Sequence, residues 1–317
     1  MKNFFSKIYY SFRYKLRSFN PFLIATMGRS GTWYNREFFF FYNKILSGED
    51  PQKIIENMIK DKTKIKYLIN LNEKKLGYNS VFIQHFLCPG FIDFFKGPSK
   101  KNWDELIFYS KHIPAKFTKV MLDNNVDKKV NPYKNPNSKV IYYYRNPLDQ
   151  AVAYFKTIQT HIDEELKYYY NSKTKKKELL TDVHDFIRKV GMDMYIKHYL
   201  SFKLTQQIYP KNVLMLTYEN MVKNPENNFS EVLDFIGHKI NKDAFNEAIK
   251  LSSKESIIKL ENAYGESISQ AYKYKSDRQL RDAKIGKWKN QLNEEDIKYI
   301  KQRFNEYEID FNSFILE

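Results

Sequence analysis

Short apolar runs alternate along this chain with longer segments whose apolar residues recur every three or four positions. Phe22 to Ala25, Ser80 to Phe86, Val140 to Tyr144 and Val213 to Tyr218 are the short runs, and each has the length and character of a strand buried on both faces. Between and after them come helical patterns. One runs through Phe38, Phe39 and Tyr42, and the charged stretch from Pro51 to Lys75 reads as a surface helix pair. Others follow Pro147, run from Asn228 to Ile236 with a stop at Gly237, and close the chain as a charged terminal helix. This alternation predicts an α/β fold: a single domain over residues 20–317, with a central parallel β-sheet flanked by helices. Asn171 to Lys177 reads as a Lys-rich surface loop or helix end, and there is no internal repeat at solenoid spacing.

Composition changes this picture little. The formal charge of +16 favours an anionic partner, but Lys, Asn, Ile, Tyr and Phe are abundant together and the positive residues are spread along the chain. Residues 1–19 are the one local concentration. They carry Lys2, Lys7, Arg13, Lys15 and Arg17 without an acid, interleaved with Phe4, Phe5, Ile8, Tyr9, Phe12 and Leu16. That basic N-terminal helical segment has two readings: a peripheral contact with an anionic membrane surface, or a first helix packed on its own domain. It lacks the apolar core of a signal peptide, and no stretch approaches the ~18 apolar residues that span a bilayer, so a cytoplasmic protein is expected. The single cysteine, Cys88, permits no intramolecular disulfide, and its place in an apolar run before Pro89 marks it as buried and inert. The Cys88 and His85 pair is therefore a weak candidate for nucleophilic chemistry.

Candidate chemistry begins where the first strand meets the first helix. Phe22 to Ala25 runs into Gly28-Arg29-Ser30-Gly31-Thr32 and then into a helical pattern. The first N–H groups of a helix have no intrahelical partner and carry partial positive charge, so such a junction is suited to a phosphate. Glycines allow close backbone approach, Ser30 and Thr32 add hydroxyls, and Arg29 adds a permanent charge. The same residues also suit an ordinary strand-to-helix turn. They do not form a Walker A loop, because only Arg29 and Ser30 separate the glycines and no Gly-Lys-Ser/Thr follows. Further along, His112 stands at the end of an element before Pro114, and Arg145 closes the strand Val140 to Tyr144. A second strand thus delivers a cation to the rim that carries the glycine loop.

Taken together these segments resemble the sulfotransferase family that uses 3′-phosphoadenosine-5′-phosphosulfate (PAPS). Gly28-Arg29-Ser30-Gly31-Thr32 is similar to the family's P-loop-like 5′-phosphosulfate loop except for its Pro. Val140 to Tyr154 is similar to the 3′-phosphate segment, and the likeness continues in order through Tyr218 to Met221 with Asn224-Pro225, through Ser252-Ser253, and through Gly286, Trp288 and Lys289. Five matched segments in order cover nearly the whole chain after residue 20.

The resemblance implies an enzyme that moves a sulfuryl group from PAPS to a hydroxyl or amine, leaving adenosine 3′,5′-bisphosphate (PAP). It assigns Arg29, Ser30, Gly31 and Thr32 to the 5′-phosphate and transferring group, and Arg145 with Arg281 to the 3′-phosphate. Trp33, Tyr34, Tyr218 and Ser253 go to the nucleoside, and His112 takes the place of the catalytic base. Arg29 would act by charge alone, since a guanidinium does not surrender its proton near neutrality. No metal is implied. Several positions depart from the family pattern: Trp33 follows Thr32 directly, Ala153 replaces a serine, Asp282-Ala283 follows Arg281 where Lys-Gly is usual, and Lys254 replaces an aromatic. The acceptor is a small molecule, a carbohydrate or a lipid. Phe91, Phe94, Phe95 and Tyr168 to Tyr170 are candidates to line its pocket, or else belong to the core. Rival readings are a non-catalytic PAP-binding protein and, further off, a nucleic-acid binder, against which the lack of any recognisable module counts.

Overall fold

The computed structural model describes residues 20–65, 68–71, 78–84, 87–89, 129–160, 167–171, 174–265, 267–268 and 284–314. The N-terminal segment 1–19, His85, Phe91, Phe94, Phe95, His112 and Arg281 lie outside them.

The four apolar runs become strands of one sheet. They are β1 (Pro21–Thr26), β3 (Ser80–Gln84), β4 (Val140–Tyr144) and β7 (Val213–Thr217), joined at one edge by β2 (Leu68–Asn70) in the order β2-β3-β1-β4-β7. β3, β1, β4 and β7 run parallel, and β2 is antiparallel to β3. Successive side chains on a strand point to opposite faces. Leu23, Ala25, Phe82, Val140 and Tyr142 accordingly enter one buried cluster, while Phe22, Ile24, Val81, Ile83, Ile141 and Tyr143 enter the other. Both faces being buried is the reason these strands are apolar throughout.

Helices cover the two faces. α1 (Thr32–Leu46), α7 (Pro225–Phe235), α8 (Lys242–Ser252) and α9 (Lys254–Tyr264) supply one cluster with Phe38, Phe39, Phe229, Phe245 and Ile257. α3 (Pro147–Thr160), α5 (Met192–Ile208) and α10 (Glu294–Glu306) supply the other with Leu148, Tyr195, Phe202 and Phe304. α2 (Pro51–Asp61), the short α4 (Val183–Phe186) and α6 (Tyr218–Lys223) are the other helices among the described residues, with a π-helical turn, Ile187–Gly191, joining α4 to α5. Among the described residues no helix is long and apolar enough to cross a membrane.

One expectation is corrected and another refined. The stretch from Pro51 to Lys75 is not a helix pair: α2 ends at Asp61 with Lys62 as its left-handed C-cap, φ +49°, and β2 follows. Ile69 and Leu71, two positions apart and both buried, carry the strand periodicity that the surrounding charges obscured. The Lys-rich stretch at Asn171 to Lys177 holds a turn at Thr174 and Lys175, as a surface loop reading expects, but its ends are strands. It belongs to an antiparallel hairpin of β5 (Tyr168–Asn171) and β6 (Lys176–Leu179), in which Tyr169 faces the core opposite Glu178 and donates its hydroxyl to that carboxylate. Tyr168 is 38% exposed on this hairpin.

Ile24 lies fully buried between Ile83 and Ile141 of the neighbouring strands. Ile24→Ala should lower unfolding free energy by about 2–5 kcal/mol, as expected for a deleted core side chain. Tyr168→Ala, on the exposed hairpin, should stay within about 0.5 kcal/mol. Urea denaturation of both variants checks the contrast.

Candidate functional site

Following β1 the chain visits β3 on one side, then crosses to β4 on the other. Ligands of open α/β sheets bind outside the carboxyl ends of the strands at such a switch. Here the ends of β1, β4 and β7 deliver the loop 27–31, Arg145 and Tyr218 to a single rim.

The loop is a strained, tightly tied turn. Met27 extends the strand pairing by donating its N–H to Tyr143 O (2.8 Å), and Ser30 N–H closes back onto Met27 O (2.9 Å). Arg29 and Gly31 are both left-handed, at φ +71° and +89°. For arginine this costs about 1–2 kcal/mol. Left-handed residues flanking Ser30 are the backbone arrangement that turns successive amides to one side and forms an anion concavity. Thr26 Oγ1 and Thr32 Oγ1 lie 2.6 Å apart and tie the strand end to the first turn of α1.

Neither glycine of the loop has room for a side chain. A Cβ on Gly28 would stand 2.3 Å from the Tyr154 ring, and one on Gly31 would stand 2.0 Å from Met221 Cε. Gln150 Nε2 donates to Gly28 O (3.3 Å), and Asn35 Nδ2 donates to Gly31 O (3.1 Å). Ser30 Oγ is buried and meets no hydrogen-bond partner among the described residues. A buried hydroxyl without a partner is costly, and here it sits in the cradle itself.

Arg145 is 4% exposed and reaches three segments at once. Nη1 donates to Arg29 O (3.3 Å), Nη2 donates to Lys284 O (3.2 Å), and the guanidinium lies 4.5 Å over the Tyr218 ring. Its Nε is buried without a partner among the described residues. Burial pushes the Tyr218 phenol above its usual value, while Arg145 and then Arg29 pull it down, so both cations act on this ring. The two nearby acids are already engaged. Glu219 Oε1 accepts Asn146 N–H (3.0 Å), and Asp149 accepts the N–H groups of Gly286 (2.6 Å) and Trp288 (3.3 Å). Burial raises the Glu219 carboxyl above the usual carboxylate range, partly offset by the Asn146 N–H. The rim therefore presents cations and donors, the chemistry of a site for a polyanion.

A family model for the sulfotransferase domain matches residues 20–310. The chain belongs to the sulfotransferase domain family. Flavonol 3-sulfotransferase of Flaveria bidentis is 27% identical over 183 residues, which cover 55% of this chain and 55% of that protein. 3-alpha-hydroxysteroid sulfotransferase of Cavia porcellus is 25% identical over 158 residues, covering 48% and 50%. The chain thus spans about half the length of the curated relatives it matches. Among solved structures, a mouse sulfotransferase complexed with PAP superposes with a TM-score of 0.50 at 17% identity, over 92% of this chain and 84% of that one. Retinol dehydratase in complex with androsterone and inactive cofactor PAP gives 0.50 at 15% identity, over 94% and 84%. At these identities they share the fold.

The sulfotransferase domain brings Arg29, Ser30, Gly31, Thr32, Arg145 and Tyr218 to one rim. Other expected contacts have structural employment. Tyr34 packs edge-on against Phe229 (5.2 Å between centroids), and burial pushes its hydroxyl up to about 12. Trp33 lies under the Arg36 guanidinium (4.4 Å). Ser253 caps α9, its hydroxyl accepting Ser256 N–H (3.2 Å). Cys88 is fully buried and its thiol is pushed up to about 12 by burial, which agrees with an inert reading. Two residues escaped the sequence reading. Asp149 could have been found as an acid four positions after Arg145 on a helix beginning with Pro147. Met221, which closes over Gly31, carries no sequence signal of its contact.

Gly31→Ala should lose about 1–3 kcal/mol of stability, because the new methyl meets Met221 and the backbone stays left-handed. Adding Met221→Ala removes the clash but not the strain, and should recover part of the loss in urea denaturation, beyond the cost of Met221→Ala alone.

Proposed function

We propose that this chain is a PAPS-dependent sulfotransferase that sulfates a hydroxyl of a small-molecule acceptor. The observation that carries the reading is the rim where the Arg29 loop and the buried Arg145 meet, within a chain matched to the family over residues 20–310. The donor set suits the nucleotide: the orphaned Ser30 hydroxyl and Arg145 Nε are buried donors awaiting an acceptor.

On this reading Arg29, Ser30, Gly31 and Thr32 hold the 5′-phosphosulfate, and Arg145 with Arg281 holds the 3′-phosphate. Tyr218 borders the adenosine, with Trp33, Tyr34 and Ser253 beside it. When bound, PAPS supplies an electrophilic sulfur and a phosphate leaving group. Arg29 and the loop amides stabilise negative charge as it grows on the departing oxygen, a role worth about 10²–10³ in rate per donor in comparable sites. His112 takes the acceptor's proton as the hydroxyl attacks, which a neutral imidazole can do near pH 7. Relatives named for flavonols and 3-alpha-hydroxysteroids support a hydroxylated small molecule as acceptor.

The first test is calorimetric titration with PAP, with AMP and ATP as controls. The expected result is binding that depends on the 3′-phosphate; equal or absent binding of all three would remove the reading. Selective binding with no turnover across a panel of hydroxyl acceptors would reduce the chain to a nucleotide-binding protein. Arg145→Ala should weaken PAP about tenfold to a hundredfold, the value of a charge-assisted contact, and leave AMP nearly unchanged. For the chemical step, His112→Ala should abolish transfer while PAP still binds, and Arg29→Ala should damage both. Matching losses of binding in the two variants would take His112 out of the base role.

A further inference from the structure

The segment before Trp288 crosses the rim as a short strap, residues 284–288, and a carboxylate from another element holds it. Asp149 lies in the first turn of α3 and its side chain is fully buried. Oδ2 accepts Gly286 N–H (2.6 Å) and Oδ1 accepts Trp288 N–H (3.3 Å). The strap leads into a 3₁₀ turn, Lys287–Asn290, whose N-cap is Gly286 at φ +84°. Glycine has no side chain to cap its own helix, so Asp149 does the capping from a distance of 137 residues in sequence. Its charge is further favoured by the N-terminus of α3.

The same strap fixes Arg145. Lys284 O accepts from Nη2, Arg29 O accepts from Nη1, and the backbone carbonyl of Arg145 accepts the Tyr195 hydroxyl (2.5 Å). Two of the three guanidinium nitrogens are thus committed to backbone carbonyls, one on the loop and one on the strap. Asp149 Oδ2 also stands 3.9 Å from Nη2 as a buried ion partner, longer than a hydrogen bond, so it holds the guanidinium directly by charge and, through the strap, by geometry.

Resting on the function proposed above, we infer that Asp149 is a positioning residue: by pinning the strap 284–288 it sets the place of the Arg145 guanidinium and thereby the preference for a nucleotide bearing a 3′-phosphate. Without the carboxylate the Gly286 and Trp288 amides lose their buried acceptor and the strap leaves the rim for water. Arg145 then keeps one carbonyl clamp of two. A 5′-phosphate held by the loop 28–32 is insensitive to that change, whereas a 3′-phosphate held by Arg145 is not.

The test compares PAP and AMP affinities, by calorimetry, for the full chain and for Asp149→Ala, Asp149→Asn and Gly286→Ala. Asp149→Ala should lower the PAP-to-AMP affinity ratio about tenfold or more, the worth of a charge-assisted contact. Asp149→Asn, which keeps one acceptor oxygen, should fall between it and the parent. Gly286→Ala strains the strap without touching α3, since a Cβ there meets nothing within 4 Å and only the left-handed backbone objects. It should lower the ratio in the same direction and decides the question if Asp149→Ala does not fold. A purely structural role would lower the melting temperature and leave the ratio of the folded protein unchanged, and that result overturns the inference alone. A parent chain with no preference for PAP over AMP overturns the proposed function and this inference with it.

Discussion

The site depends on parallel pairing in register. Because β1, β4 and β7 run the same way and pair residue for residue, their carboxyl ends arrive at one level, and everything that follows each strand is delivered to the same edge. Helices seal both faces of the sheet, so this edge is where the chain's polar groups can meet a solute. The two clusters of aromatic and aliphatic side chains hold that register, since a slip of one residue would turn each strand's inward set to the wrong face. The geometry of the rim is in this sense a product of packing far from it.

Electrostatics complete what topology begins. Arg29 and Arg145 lie close enough to act on one tyrosine ring, an arrangement of like charges that needs either counterions or an anionic ligand. Asp149 and Glu219 stand nearby, yet both spend their oxygens on backbone amides that hold segments in place. The acids therefore order the rim through its backbone. The Ser30 hydroxyl and Arg145 Nε stay unpartnered among the described residues.

Much of this was legible in the sequence, for physical reasons that differ by residue. Strands β1, β3, β4 and β7 announced themselves because both faces are buried, leaving no polar interruption. Gly28 and Gly31 were readable because the backbone demands them, one for close approach and one for its left-handed turn. β2 and the β5–β6 hairpin were not, since edge strands are short and their exposed lysines and asparagines look like loop or helix surface. Tyr34 and Ser253 were expected beside a nucleoside, and here they also support packing and capping, roles that depend on partners distant in sequence. Asp149 was hidden for the same reason: the amides that donate to it lie more than a hundred residues away.

Cys88 has a practical side. It is the chain's one cysteine, it is buried, and burial pushes its thiol well away from the reactive thiolate form. A new cysteine on an exposed turn such as Ser47 would consequently be the one thiol that a maleimide dye meets in the folded protein. Fluorophores or spin labels can be attached at chosen points of the natural sequence, with no cysteine first removed and no core packing disturbed.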